Sequence, residues 1–400
     1  MIHLLSIQLV AERGGSDQAL MRMIQSLPRD RFRCHVALPR PSPLEREFSE
    51  AGATLHVVPM ERISTSHRMR NWAAYAAGWP LAVARLVKLV RELDVDVVHS
   101  NSLHSWYGWA AAYLTGRPHV WHGREIVVQS RAALRLERFL ARSFADRVIC
   151  MSGAVAAQLH PANTVVIHET PDPAEYNPGR AGRFRAGVGI PDQVPLVGAA
   201  GRIDTWKGFD VLLDAFGQAR RRRPELQLVV AGGQVRGKEG YARRLEARAA
   251  ALGGVHWLGP RTDMPEVLAD LDLFVLPSTE PEPYGLVVVE ALASGAPVVA
   301  TDAGGPPEIL AAAIPGSGRL VPPRDATRLA DALVELAPSE GETSSATRKA
   351  RPVRRRPERQ DRFADVFEEV ARQRPAKGRR RLGSCSHVGL LPGDLPGDGR

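Results

Sequence analysis

The segment from Leu286 to Ser294 is apolar on nearly every side, yet it carries one carboxylate, Glu290. A helix of that kind is buried, and a carboxylate inside it is costly unless another group pairs with it or hydrogen-bonds to it. The segment therefore requires both a packed environment and a partner for Glu290. It follows a short apolar run, Leu273 to Leu276, closed by Pro277 and read as a buried strand; Gly295 and Pro297 end the helix. A Pro-rich loop between strand and helix carries Glu282. Two carboxylates thus stand at the carboxyl end of a strand, where open parallel sheets bind ligands. The plainer alternative is a solvated Glu282 and a Glu290 satisfied by backbone.

The rest of the chain fits a sheet of that kind. Residues 1 to about 170 alternate strand-like runs with helical patterns, starting with Ile2 to Val10, a loop holding Gly14 and Gly15, and a helix from about Asp17. Parallel strands with crossover helices follow from such alternation. The glycine loop at a helix start suits an anion, through free amides and the helix dipole, or is simply a tight turn. Leu81 to Leu93, begun by Pro80, reads as an amphipathic helix, and Val95 to His99 as a strand followed by Asn101, Ser102 and His104. His119 to Trp121 is a further strand, at whose end His122 precedes a glycine, an accessible place for a functional imidazole. Pro171 to Val194 breaks the pattern and reads as a linker, and a second α/β unit begins at Leu196. Its first strand runs into Arg202 and Lys207 on one short loop, so that two cations converge on one anion.

Charge and cysteine content set limits on function. Net charge is +9, but residues 341–400 hold 15 Lys and Arg against 8 Asp and Glu, so +7 of it belongs to the tail and the body is close to neutral. Nucleic-acid binding through the body is therefore not expected. The helix Arg131 to Phe144 places Arg131, Arg135, Arg138 and Arg142 on one face opposite Leu136, Phe139 and Leu140, a pattern for contact with anionic lipid or for a solvated face. Three well-separated cysteines, Cys34, Cys150 and Cys385, fit buried thiols in a reducing cytoplasm, with peripheral contact at the inner membrane face as an option. The pairs Asp94/Asp96 and Asp270/Asp272 sit where acidic residues end a helix or turn, and no metal is demanded.

With these residues in place, the chain resembles the GT-B-fold retaining glycosyltransferases of family 4 over roughly residues 2 to 336. The most specific pieces are Gly201-Arg202 with Lys207-Gly208, and Glu282-Pro-Tyr-Gly-Leu leading to Glu290; Gly14-Gly15, Asp96-Val-Val-His99, His122, Ser152 and Asp302-Ala-Gly-Gly305 follow in order. The resemblance implies an α/β architecture of two Rossmann-like domains facing a cleft. It divides the chain into an acceptor-side domain at 1–173, a linker at 174–194, a donor domain at 195–337 and a basic, largely disordered tail at 338–400 with a possible crossover helix at 362–372. It implies that Arg202, Lys207 and Gly15 hold the diphosphate of a nucleotide sugar, that Glu290 holds its ribose, and that Glu282 contacts the transferred sugar with help from amides at Gly285 and Leu286. His122 joins Glu282 as a catalytic residue. The implied reaction is retaining and metal-free, moving a sugar to a glycan, lipid-linked or small-molecule acceptor with no cofactor beyond the donor. A nucleotide-sugar epimerase on the same fold and a non-catalytic nucleotide or nucleic-acid binder are the alternatives. One departure is His168-Glu169-Thr170-Pro171-Asp172, where the family has an Asn-Gly pair before the aspartate.

Overall fold

The computed structural model describes residues 1–11, 15–61, 69–128, 130–159, 163–353 and 362–373. Two wholly parallel sheets form the frame. The first holds β1 (Ile2–Ile7), β2 (Phe32–Leu38), β3 (Ala53–Val57), β4 (Val97–Ser100), β5 (His119–Gly123), β6 (Arg147–Cys150) and β7 (Thr164–Val166), in the order β3-β2-β1-β4-β5-β6-β7. The second holds β8 (Leu196–Ala200), β9 (Gln227–Ala231), β10 (Val255–Gly259), β11 (Leu273–Leu276), β12 (Val298–Thr301) and β13 (Gly318–Val321), in the order β10-β9-β8-β11-β12-β13. Central strands such as Leu273–Leu276 are buried at every position, as strands covered by helices on both faces must be. Each sheet reverses its direction of growth once, between β1 and β4 and between β8 and β11. Loops leaving those four strands run in opposite directions, and open parallel sheets bind ligands at such reversal points.

The two halves are joined by packing. One apolar cluster links Leu103, Trp121 and Val155 of the first half to Tyr284, Val288 and Ile309 of the second. The helix Arg362–Arg372 buries Phe363, Val366, Phe367 and Val370 among Leu4, Val36, Val97 and Val120 of the first sheet. The chain therefore visits the second unit and returns to the first.

Several segments differ from what the sequence pattern suggests. The stretch read as a linker at 174–194 is built into the second unit, with a 3-10 turn at Pro178–Arg180 and a helix at Arg183–Val188. Its Arg185 is buried and pairs with Asp272 at 2.6 Å, while Asp270 accepts from the Arg185 amide at 3.0 Å. The start of the tail, read as disordered from residue 338, is ordered through 353 and contains the helix Ser345–Lys349. Arg348 and Arg351 hold it down: both reach Asp272, and Arg348 also pairs with Asp192. Polar composition misled there because the arginines have buried carboxylates to meet. Residues 374–400, including Cys385, lie outside the described residues. The helix taken to start at Pro80 runs from Met69 to Glu92 with Pro80 inside it. Cys34 and Cys150 are buried free thiols, and burial pushes them up to about 11 and about 12. Among the described residues no helix is long and apolar enough to cross a membrane.

Candidate active site

The loops leaving β8 and β11 flank the second sheet's reversal point, and they carry most of the residues that the sequence singles out. Gly208 has φ +70°, and a Cβ there would stand 2.0 Å from the Pro277 carbonyl oxygen. Only glycine lets the Arg202–Gly208 loop press against the loop after β11. That approach brings Lys207 Nζ to 2.7 Å from Glu282 Oε2, where Ser278 Oγ also donates at 2.9 Å. The Lys207 ammonium lies 4.2 Å from the centre of the Trp206 ring. Glu282 is only 7% exposed, so its charge is balanced by the lysine. Arg202, on the same loop, is exposed and has no ion-pair partner among the described residues.

A second pair of glycines fixes Glu282 from the other side. Gly304 has φ +85°, and a Cβ on it would meet the Glu282 carbonyl oxygen at 2.0 Å; one on Gly305 would meet the Tyr284 backbone at 2.5 Å. The Gly305 amide donates to the Glu282 carbonyl at 2.8 Å. Gly285, at φ +98°, starts the helix Leu286–Ala293, whose first amides have no acceptor within the helix and form an electropositive end beside Glu282. Gly232, just after β9, is likewise a close backbone contact: a Cβ there would sit 1.8 Å from the Gly201 carbonyl oxygen.

Glu290 has a partner that sequence alone does not reveal. Arg22, on the helix Gly15–Ser26 of the first half, places Nη2 2.8 Å from Glu290 Oε1, and its guanidinium lies 5.6 Å from the centre of the Tyr176 ring. Burial pushes the Glu290 carboxyl upward, with Arg22 and the Tyr176 hydroxyl pulling the other way. A lone arginine on an amphipathic helix carries no signal of such a role. The pair ties the two halves together across the crevice.

Other contacts join the halves nearby. Ser152 Oγ donates to the Pro283 carbonyl at 2.5 Å, and the Gly153 amide donates to Glu308 at 2.8 Å. His168 hydrogen-bonds Glu308 and stacks on Tyr284, the rings 8° from parallel and 5.5 Å apart; the Tyr284 hydroxyl donates to the Glu169 carbonyl at 3.1 Å. The departure at His168-Glu169 thus supplies contacts between the halves.

The first half contributes less directly. Gly15 opens its helix, and a Cβ there would face open space; Gly14 lies outside the described residues. His122 is wholly buried, 5.6 Å from the His99 ring and 5.9 Å from Phe363. Neither of its ring nitrogens has a hydrogen-bond partner among the described residues, and burial, helped by Arg124 and His99, holds its pKa well below the usual imidazole value. It is therefore neutral. Asn101 donates to Gln8 at 3.0 Å, Ser102 donates to Glu125 at 2.5 Å, and His104 bonds Glu137 at 2.7 Å, so these residues shape the loop after β4. Among the described residues no group of three or more His, Cys, Asp or Glu side chains is placed to hold a metal ion.

Two parallel-sheet domains, with charged loops and helix starts brought together at their carboxyl ends, define a two-domain α/β protein of the kind that binds ligands at those ends. Residues 194–338 match the family described as "Glycosyl transferases group 1", and residues 14–169 match the "Glycosyl transferase 4-like domain". The lipopolysaccharide core biosynthesis mannosyltransferase of Rhizobium meliloti is 30% identical over 243 residues, covering 54% of this chain and 69% of that one. The D-inositol 3-phosphate glycosyltransferase of Stackebrandtia nassauensis is 31% identical over 334 residues, covering 75% and 72%. In fold the chain is similar to HepE of Anabaena, solved with UDP and glucose, with TM-score 0.73 at 24% identity over 93% of this chain and 99% of that one. The chain belongs to the group 1 glycosyltransferases and has the GT-B fold.

The Arg22–Glu290 pair yields a pH-resolved prediction. Glu290 has a raised pKa in the folded state, so its contribution to stability is fully present below the unfolded value and is lost as pH rises through the folded one. Arg22→Met removes the opposing cation and drives that value higher. Urea unfolding at pH 8 is expected to show a loss of about 3 kcal/mol, shrinking toward pH 5 as the carboxyl takes up a proton. A loss that is the same at both pH values contradicts the assignment.

Proposed function

We propose that the chain is a retaining, metal-independent hexosyltransferase that moves a sugar from a nucleotide-diphosphate sugar to a glycan, lipid-linked or small-molecule acceptor. The observation that carries this reading is the convergence at β8 and β11. There, a cation and a carboxylate 2.7 Å apart face an exposed arginine's loop and a helix N-terminus. The positive groups suit a diphosphate and the carboxylates suit hydroxyls. HepE, solved with UDP and glucose, lends support from the same fold.

In this mechanism the donor displaces two ion pairs. The diphosphate takes Lys207 together with Arg202 and the helix start at Gly15, while the amides at Gly285 and Leu286 face the transferred sugar. Glu282, released from Lys207, accepts from hydroxyls of the transferred sugar, and Glu290 exchanges Arg22 for the ribose. As the bond from the anomeric carbon to the diphosphate oxygen breaks, the growing negative charge meets fixed cations and amides, which stabilise the departing group without a metal ion. The acceptor hydroxyl attacks from the face the diphosphate leaves, and its proton passes to a phosphate oxygen, so configuration is retained. His122, neutral and with unpartnered nitrogens, is assigned a hydrogen bond to the sugar in the closed complex. An epimerase reading requires conversion of the donor without acceptor.

Arg202→Ala is expected to weaken binding of UDP or another nucleoside diphosphate by about 1.5–3 kcal/mol, roughly tenfold to a hundredfold, by titration calorimetry. With a functional donor and acceptor, NMR of the product is expected to show the donor's anomeric configuration, and activity is expected to survive EDTA. Wild-type affinity in Arg202→Ala, an inverted product, or activity restored only by a divalent ion contradicts the respective part.

We also propose peripheral contact between the helix Arg131–Phe144 and an anionic membrane at the inner face of the cytoplasmic membrane. The pattern differs from a simple division into a basic and an apolar face. Leu136 and Phe139 are 41% and 61% exposed beside exposed Arg131, Arg135 and Arg142, while Leu140 is buried and Arg138 turns to the Gln158 carbonyl. Exposed Tyr113 packs edge-on against Phe144 and extends the apolar surface. Apolar side chains ringed by arginine fit an interface between water and anionic headgroups. Phe139→Asp is expected to reduce co-sedimentation with phosphatidylglycerol vesicles at least about tenfold; unchanged binding removes the helix from that role.

A further inference from the structure

Beside the donor loops, on the second unit, lies a cavity of about 340 Å³ lined by Thr205, Trp206, Asp210, Thr279, Glu280 and Arg324. None of these residues has a part in the transfer chemistry described above. The volume falls in the range that holds a small ligand. With Val211, its lining combines one large aromatic ring, one aliphatic side chain, two hydroxyls, two carboxylates and one guanidinium. Asp210 accepts weakly from Tyr241 at 3.3 Å, and neither Glu280 nor Arg324 has an ion-pair partner among the described residues. Arg324 sits at φ +64°, a conformation that an ordinary side chain adopts only when its surroundings impose it, and one that gathers at functional sites.

The charge balance selects the ligand class. Two carboxylates against one guanidinium repel a phosphate or carboxylate ligand, so this cavity is not an extension of the diphosphate site. A neutral polyhydroxyl compound suits it: carboxylates accept from hydroxyls, the guanidinium donates, threonine hydroxyls donate or accept, and an indole offers an apolar face to the C–H side of a pyranose. We propose that this cavity is a carbohydrate subsite that takes a pyranose unit of the glycan being extended. The glycosyltransferase reading enters only in identifying that glycan; the site itself rests on the cavity and its lining.

The position couples such a ligand to the donor loop. Trp206 carries the Lys207 ammonium 4.2 Å from its ring centre, and its carbonyl accepts from the Thr279 amide at 2.8 Å and the Thr279 hydroxyl at 3.2 Å. A sugar on Trp206 touches the loop that sets Lys207 on Glu282.

The test uses the full chain with methyl α-D-mannopyranoside and methyl α-D-glucopyranoside, without nucleotide, in saturation-transfer difference NMR. At about 10 mM, where even a millimolar site is filled, at least one glycoside is expected to give transfer with the wild-type protein. In the double variant Glu280→Ala/Arg324→Ala, with an unfolding midpoint matching wild type, the transfer is expected to fall at least about fivefold as two polar contacts are lost. If the double variant does not reach that midpoint, Glu280→Gln, which keeps the side chain's size, is expected to lower the transfer measurably. No transfer with wild type, or full transfer in the folded variant, overturns the proposal. Because nucleotide is absent, failure of the donor reading leaves this result readable.

Discussion

The buried pair between Arg22 and Glu290 is the contact on which the crevice depends. A carboxylate on an all-apolar helix cannot stay charged alone, and the nearest cation comes from the opposite domain. The chemistry of one helix therefore helps dictate how the two halves meet. Around that pair, Ser152, Gly153, His168 and Glu169 bond to backbone and side chains of the segments Pro283–Tyr284 and Glu308, so polar contacts join the apolar cluster between the halves.

The same logic governs the second sheet's loops. Gly208, Gly304 and Gly305 are sites where backbone meets backbone closer than any Cβ allows, and together they fix where Glu282 stands. Lys207 and Glu282, 2.7 Å apart, neutralise each other. In the proposed mechanism one member of each ion pair of the crevice meets a group the ligand carries: a phosphate for Lys207, and a ribose hydroxyl for Glu290.

Much of this was legible in the sequence because burial and turn chemistry leave periodic marks. The β8 and β11 strands, the helix after Gly285 and the loop with Arg202 and Lys207 follow from short apolar runs punctuated by glycine and proline. The amphipathic pattern Phe363, Val366, Phe367, Val370 marks the returning helix. Partnerships across long sequence separation left no such mark. Arg22 looks like any solvated helix cation, and it took the fold to bring it to Glu290. Arg185, Arg348 and Arg351 sit in stretches whose composition reads as linker and tail, yet Asp270 and Asp272 draw them inward. The exposure of Leu136 and Phe139 likewise depends on which neighbours the Arg131–Phe144 helix packs against, and periodicity cannot supply that.

The most direct test of the account is a crystal structure of the protein with UDP or its nucleotide sugar in the crevice. The account predicts the diphosphate on Arg202 and Lys207, the ribose hydroxyls on Glu290, and both the Arg22–Glu290 and Lys207–Glu282 pairs opened beyond ion-pair distance. A nucleotide seated elsewhere, or one bound with both pairs still closed, contradicts it.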